Sequence, residues 1–155
     1  SNLRALPVGR DTRVEIHKGK NAMKNMWRQA LFTKQESILV SGRETFERLE
    51  KIFAYFGDNM IKQIGKKKLT ERVIVPAGTK ITFKSEKYSK CRYLPPHYPL
   101  LSPFSVIENK VVFLIMDEPL TAVTIENREF ARTFKCYFEI LWGLAKPSSI
   151  DKYSG

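Results

Sequence analysis

Apolar positions along this chain follow two rhythms. Short runs rich in Val, Ile and Phe, bounded by polar turns, read as strands. Val14 and Ile16 alternate up to Gly19, residues 37–41 (SILVS) form a compact buried run closed by Gly42, and 72–75 (RVIV) stop at Pro76. Residues 91–94 (CRYL) follow, then the loop 95–104, which holds four of the eight prolines. Near the end, 104–107 (FSVI) and 111–115 (VVFLI) flank the polar turn at 108–110, which reads as a hairpin. A last run, 120–125 (LTAVTI), leads through Glu126 and Asn127 into a helix.

The second rhythm is helical. Ala22, Met26, Trp27, Ala30 and Leu31 share one face, with Asn21 as the expected N-cap. Phe46, Leu49, Phe53, Phe56, Met60 and Ile64 recur every three or four residues, and Glu44, Glu47 and Glu50 suit the positive end of the dipole. Gly57 is the expected weak point where this long helix kinks or splits, and Gly65 the expected C-cap. The final helix, 128–145, turns Phe130, Phe134, Phe138, Leu141 and Ala145 inward, with Tyr137 and Trp142 on its borders. That is more aromatic surface than one helix needs to cover a sheet. Phe134, Tyr137 and Trp142 are therefore expected at a homodimer contact.

Between the clear elements, 77–90 is ambiguous; alternation over 80–84 favours a strand over a helix. Residues 1–12 read as a linker from an upstream domain and 147–155 as a flexible tail. What remains, 13–146, is expected to be a single α/β domain with a mixed, partly antiparallel sheet and flanking helices.

Composition narrows the function classes. At 155 residues the chain can bury a core unaided, and no run approaches the ~18 apolar residues of a membrane span, so no membrane partner is expected. No apolar signal-peptide core opens the sequence, and Cys91 and Cys136 stand apart as buried thiols, which fits a reducing cytoplasm. His17 and His97 have no partner at metal-ligand spacing; neither a metal nor any other cofactor is expected.

The net charge of +11 is concentrated. Residues 1–35 and 60–95 together carry +14, and the rest sums to −3. Lys18, Lys20, Lys24, Lys62, Lys66, Lys67, Lys68 and Arg72 are the candidates for contacting nucleic acid or another anion. A solvated surface is an equally good reading of charge alone, and the helix dipole is a sufficient reason for the lysines after residue 60.

Ser41, Gly42 and Arg43 sit where a strand hands over to a helix, a place where α/β sheets bind ligands. His97, Tyr98 and Leu100 in the proline-rich loop are further lining candidates, although a rigid crossover explains that loop slightly better. Glu126 and Asn127 can hydrogen-bond a ligand, but Asn127 is also well placed to cap the last helix. There is no Walker loop, no GxGxxG and no GxSxG elbow.

The order of these motifs resembles a known family. RVEIHKGK leads into a helix with Trp27; ILVSG, a long helix and RVIVP follow; then come CRYLPPHYP, FSVIENKVVFLI, LTAVTIEN and FARTFKCYFEILWGLAKP. This set is similar to the phospholipase D-like regulatory domain of TrmB-type transcriptional regulators, over nearly the whole chain from Val14 to Lys146. The resemblance implies an effector-sensing, dimerising module that alters the DNA affinity of an upstream winged helix. No winged helix lies within the 155 residues, so one is expected upstream or the chain is a stand-alone variant. The resemblance carries no expectation of the sugar-binding domain of maltose-type members or of sugar specificity.

Phospholipase D-type transfer needs a His nucleophile paired as His-x-Lys with a phosphate-holding Lys. Here Glu108 stands in the His place beside Asn109 and Lys110, Asp117 falls two residues late, and His17-Lys18-Gly19 is a near miss. The expectation is therefore a catalytically degenerate domain with no catalytic residues, not an enzyme. A small effector of unknown identity is expected between residues 41–43 and the hairpin residues 108–110. The alternative is a stand-alone basic nucleic-acid-binding module using 18–34 and 62–72.

Overall fold

Alternation sorts the strand side chains onto two faces of one eight-stranded sheet. In a computed structural model, which describes residues 3–98 and 102–148, the strands are β1 (Leu3–Leu6), β2 (Arg13–Lys18), β3 (Ser37–Val40), β4 (Glu71–Pro76), β5 (Ser89–Leu94), β6 (Phe104–Ile107), β7 (Lys110–Ile115) and β8 (Thr121–Glu126). Their spatial order is β1-β2-β8-β7-β6-β3-β4-β5. The pairs β3–β4 and β4–β5 are parallel and the other five neighbouring pairs antiparallel, the mixed α/β architecture expected. The helices are α1 (Lys20–Arg28), which continues into a 3-10 turn (Gln29–Phe32), α2 (Arg43–Ile52), α3 (Ala54–Lys67) and α4 (Arg128–Leu144).

One face of the sheet packs on α4. Ile38, Val40, Ile74, Val106 and Val111 meet Ala131, Phe138 and Ala145 there. The surplus aromatics of α4 are used inside the chain: the Phe134 ring lies 5.3 Å from Phe104, 5.4 Å from Phe113 and 4.9 Å from Phe130, and Phe138 stacks on Trp142. The opposite face carries α1, α2 and α3, with Val112, Leu114 and Ala122 against Met23, Met26, Phe53 and Phe56. Asn127 caps α4 as read from the sequence: its side chain accepts a hydrogen bond from the Phe130 amide at 2.9 Å.

Several local expectations change. The cap of α1 is Gly19 and not Asn21; its φ of 87° is open to glycine, and its amide donates to Leu120 O at 2.7 Å. The long helix breaks at Phe53 (φ −111°, ψ 28°) instead of Gly57, because Phe53 turns into the core beside Trp27. Gly65 lies inside α3, which ends one turn later at a left-handed Lys68. Residues 80–84 form no strand; their amides bond to carboxylates of α2, donating from Lys80 to Glu47 and from Thr82 and Phe83 to Glu50. Part of the segment read as a linker, Leu3–Leu6, pairs with β2 as the edge strand. Leu100 and the residues after 148 lie outside the described residues.

Candidate functional site

Sheet register decides which candidate residues can meet. β6 is antiparallel to β3, with Val40 opposite Phe104 and Ile38 opposite Val106. Residues 41–43 therefore leave the sheet at the end where β6 begins, while the hairpin 108–110 sits at the other end. Four residues at about 3.3 Å each separate them by roughly 13 Å, so the expected single site spanning both groups does not form.

At the first end, Ser41 is fully buried, its hydroxyl donating to Gly42 O at 3.1 Å and its amide to Ile74 O. Gly42 caps α2 with an ordinary extended φ of −72°. Arg43 is exposed and ion-paired with Glu47 at 3.5 Å. His97 and Tyr98 lie beyond β5 with their rings 4.5 Å apart, both exposed.

At the other end the hairpin is drawn onto the turn after α1. Glu108, in a left-handed conformation (φ 54°), accepts hydrogen bonds from the Lys34 amide and the Thr33 hydroxyl, both at 3.0 Å. These two bonds, the backbone one foremost, hold its carboxyl below the usual carboxylate range. Lys110 donates to the Gln29 side chain at 3.1 Å. Glu108, Asn109, Lys110 and Glu126 together line a polar cavity of about 230 Å³ with Gln29 and Thr33. Asn127 is taken up elsewhere: it caps α4, its amide donates to Asn109 O, and its side chain donates to Thr12.

A larger, apolar cavity of about 250 Å³ adjoins this one, sharing Ala30, Thr33, Ile107 and Val112 with it. Its floor is Leu39, Val73, Val112 and Leu114 of the sheet; its roof is Trp27, Phe46, Leu49, Phe53, Phe56 and Met60. Phe83, from the loop bound to Glu50, closes one side; a Cβ on Gly57 would come within 2.9 Å of its ring. Few polar groups reach this space, among them Ser37, Thr70, Glu71 and Ser105. Burial pushes the Glu71 carboxyl up against the pull of the Ser89 hydroxyl, which donates to it at 2.6 Å.

The basic segments are brought together in part. Lys24 and Arg28 of α1 lie over the Phe56 ring of α3, at 5.9 and 5.1 Å. Lys67 reaches across to donate to Leu31 O and covers the exposed Phe32 ring. Lys18 and Lys20 flank Gly19 at the opposite end of α1, while Lys66 and Lys68 sit with Lys67 at the end of α3. Lys62 is paired with Asp58 at 3.0 Å. Arg72 is engaged within the fold: it bonds Glu36 at 2.8 Å and Glu139, and stacks on Phe138 and Trp142, each at 5.0 Å. Phe134 and Trp142 pack inward, so Tyr137 is the one dimer candidate that faces out.

His17 is buried next to Glu15, its Nε2 3.4 Å from the carboxylate and without a hydrogen-bond partner. Burial lowers its pKa more than Glu15 raises it, and Lys110 lowers it further. Of the two thiols expected to be buried, Cys136 is exposed; Cys91 is half-buried and its pKa is pushed up to about 11, chiefly by burial. No helix among the described residues is long and apolar enough to cross a membrane.

No protein-family model and no curated protein matches the sequence. Solved structures do. TrmBL2, an archaeal chromatin protein whose structure shows a mode of DNA binding, matches with a TM-score of 0.59 at 18% identity over 87% of this chain. The chain spans about half of that protein, 54%. Nuc, a phospholipase D family member from Salmonella typhimurium, matches with a TM-score of 0.63 at 9% identity, over 88% of this chain and 98% of Nuc. NucT from Helicobacter pylori gives 0.58 at 6% identity, over 88% and 99%.

The fold is thus phospholipase D-like and shared with a TrmB-like protein, as the motif order implied. The expectation that the chain is not an enzyme is overturned by the same comparison. Nuc, a phospholipase D family member, shares the fold over 88% of this chain, and that family is one of enzymes.

Proposed function

We propose that this chain is the effector-sensing, dimerising domain of a transcriptional regulator, and that a small amphiphilic molecule is its effector. The observation that supports this best is the pair of adjoining cavities. An apolar body fits between α1–α3 and the sheet, and a hydrogen-bonding head fits among Gln29, Glu108, Lys110 and Glu126. The DNA binding of TrmBL2 is the reason for placing the domain in a regulator. Differential affinity of the effector for two arrangements of the dimer would then change DNA affinity.

The test uses the amphiphilic dye 1-anilinonaphthalene-8-sulfonate as probe. The native chain is expected to bind it with a fluorescence rise and a raised melting temperature. Val112→Phe, which fills the floor shared by both cavities, is expected to abolish both effects. Dye binding unchanged in a folded Val112→Phe variant would sink the cavity reading.

A second reading has its own observation, basic side chains of α1 and α3 that reach across the two helices, Lys24 and Arg28 over Phe56 and Lys67 over Phe32. Direct nucleic-acid binding by this face predicts affinity for duplex DNA that falls steeply as salt rises. Salt-independent or absent binding would exclude it.

A further inference from the structure

We infer that the effector is an α-amino acid with an aromatic side chain, its two charged groups held at the hairpin end and its ring in the apolar cavity. The inference rests on the two-cavity reading above and names the class of molecule that fits it.

The polar cavity is built around opposite charges that do not neutralise one another. Lys110 and Glu126 are directly opposed in the β7–β8 register, so both side chains leave one face of the sheet from Cα atoms about 5 Å apart. Lys110 nevertheless turns to Gln29, donating from Nζ to Oε1 at 3.1 Å. Arg13, which stands opposite Glu126 on β2, pairs with Glu15 instead. Among the described residues Glu126 is left with neither a hydrogen bond nor an ion pair. Glu108 is half engaged: the Thr33 hydroxyl and the Lys34 amide both donate to Oε1, which leaves Oε2 for a ligand.

These groups sort a ligand by charge. The lining carries two carboxylates and one ammonium, and its other side chains are uncharged. A purely anionic head meets the carboxylates of Glu108 and Glu126, and a purely cationic head meets Lys110 without supplying it a counter-charge. A zwitterion satisfies both signs. Its ammonium donates to Glu126 and to Glu108 Oε2, while its carboxylate accepts from Lys110 Nζ and from the side-chain nitrogen of Gln29, whose oxygen is already used. In an α-amino acid the two charges stand on one carbon, which matches the side-by-side placing of Lys110 and Glu126.

The apolar cavity defines the rest of the molecule. Val112 lies two residues from Lys110 on the same face of β7, about 7 Å along the strand, and lines both cavities. A side chain that starts from the charged end therefore passes over Val112 into a space roofed by the rings of Trp27, Phe53 and Phe56. A dry cavity of about 150 Å³ accepts benzene, so about 250 Å³ holds a ring together with its linker. Aromatic walls favour a ring as occupant, in edge-on or offset contact. A polyol fits poorly, because few polar groups here can pair its hydroxyls.

Calorimetric titration of the 155-residue chain tests this. The ligands are L-phenylalanine, L-tyrosine and L-tryptophan, each beside the analogue of the same ring that lacks the carboxylate and the one that lacks the ammonium. At least one amino acid is expected to bind, and to bind roughly tenfold or more tightly than both of its analogues. Glu126→Gln, at an exposed position, is expected to weaken the amino acid about tenfold and to spare the analogue without the ammonium. Lys110→Met is expected to do the reverse, sparing the analogue without the carboxylate. An analogue that binds as tightly as its amino acid overturns the inference, and so do variants that weaken all three alike. Anilinonaphthalene dye that binds and is displaced by none of the amino acids overturns it too, while the cavity reading stands. A folded chain that binds neither dye nor amino acid overturns both.

Discussion

Removing the carboxylate of Glu50 tests how the loop after β4 is held over the apolar cavity. Both Glu50 oxygens accept from the Thr82 amide at 3.0 Å, and one also accepts from the Phe83 amide at 2.7 Å. Bonds to an ionised acceptor contribute about 1.5–3 kcal/mol each when shielded and less when water can replace them. Thr82 is exposed, so its share is about 0.5 kcal/mol; the partly buried Phe83 amide accounts for about 2 kcal/mol. Glu50→Ala is therefore expected to cost about 2–3 kcal/mol, offset by a few tenths for the better helix former. Glu50→Gln keeps one neutral acceptor and is expected to cost about 1 kcal/mol.

Urea unfolding, followed by the fluorescence of Trp27 and Trp142, measures the loss. Hydrogen exchange locates it: the Thr82 and Phe83 amides are expected to lose protection ahead of the β4 amides, since opening the loop needs no global unfolding. A Glu50→Ala variant within about 0.5 kcal/mol of the parent, with exchange at both amides unchanged, would refute the reasoning.

Two other perturbations probe Arg72 and His17. Arg72→Met removes two ion pairs and two ring stacks at once and is expected to destabilise by about 2 kcal/mol, with Arg72→Lys losing about half as much because an ammonium does not stack as a planar guanidinium does; urea unfolding measures both. For His17 the folded state holds the proton less tightly than the unfolded chain, so its contribution is complete above an unfolded pKa of about 6.5 and declines as pH falls below it. His17→Phe is expected to flatten the stability curve as pH falls below about 6.5, and an unaltered slope in that variant would show that another group sets it.

The hairpin and α4 were legible because each carried its signal locally. FSVI and VVFLI are β-branched runs around a polar turn, and Asn127 is a capping residue directly ahead of an apolar period. The break at Phe53 was not, since the stripe from Phe46 to Ile64 keeps its spacing through it; a contact with Trp27 ends the helix there. The alternation at 80–84 misled for a similar reason, because Glu47 and Glu50 take up amides that a strand would give to a neighbour. β1 has only four residues, and its partner strand stabilises it more than its own pattern does. For the site, the residues of the hairpin end lie together around one cavity, and those after β3 lie at the opposite end of the sheet. Strand ends adjacent in sequence say nothing about direction in a mixed sheet, and the β3–β6 register settles it. The apolar cavity had no sequence signal, being space left between residues that all read as core.

The two faces of the sheet differ in how completely they are filled, and this bears on where a ligand can act. On the α4 side, Phe104, Phe113, Phe130, Phe134, Phe138 and Trp142 pack ring against ring. On the other side about 250 Å³ stays open between sheet and helices. Apolar lining that faces water there forgoes about 25 cal/mol for each Å² that a ligand would cover. A molecule that fills it regains part of that energy only in the arrangement of α1–α3 that fits it. Occupancy can thereby redistribute states of the helical layer. On the α4 side the contacts between rings tie the helix directly to the sheet instead.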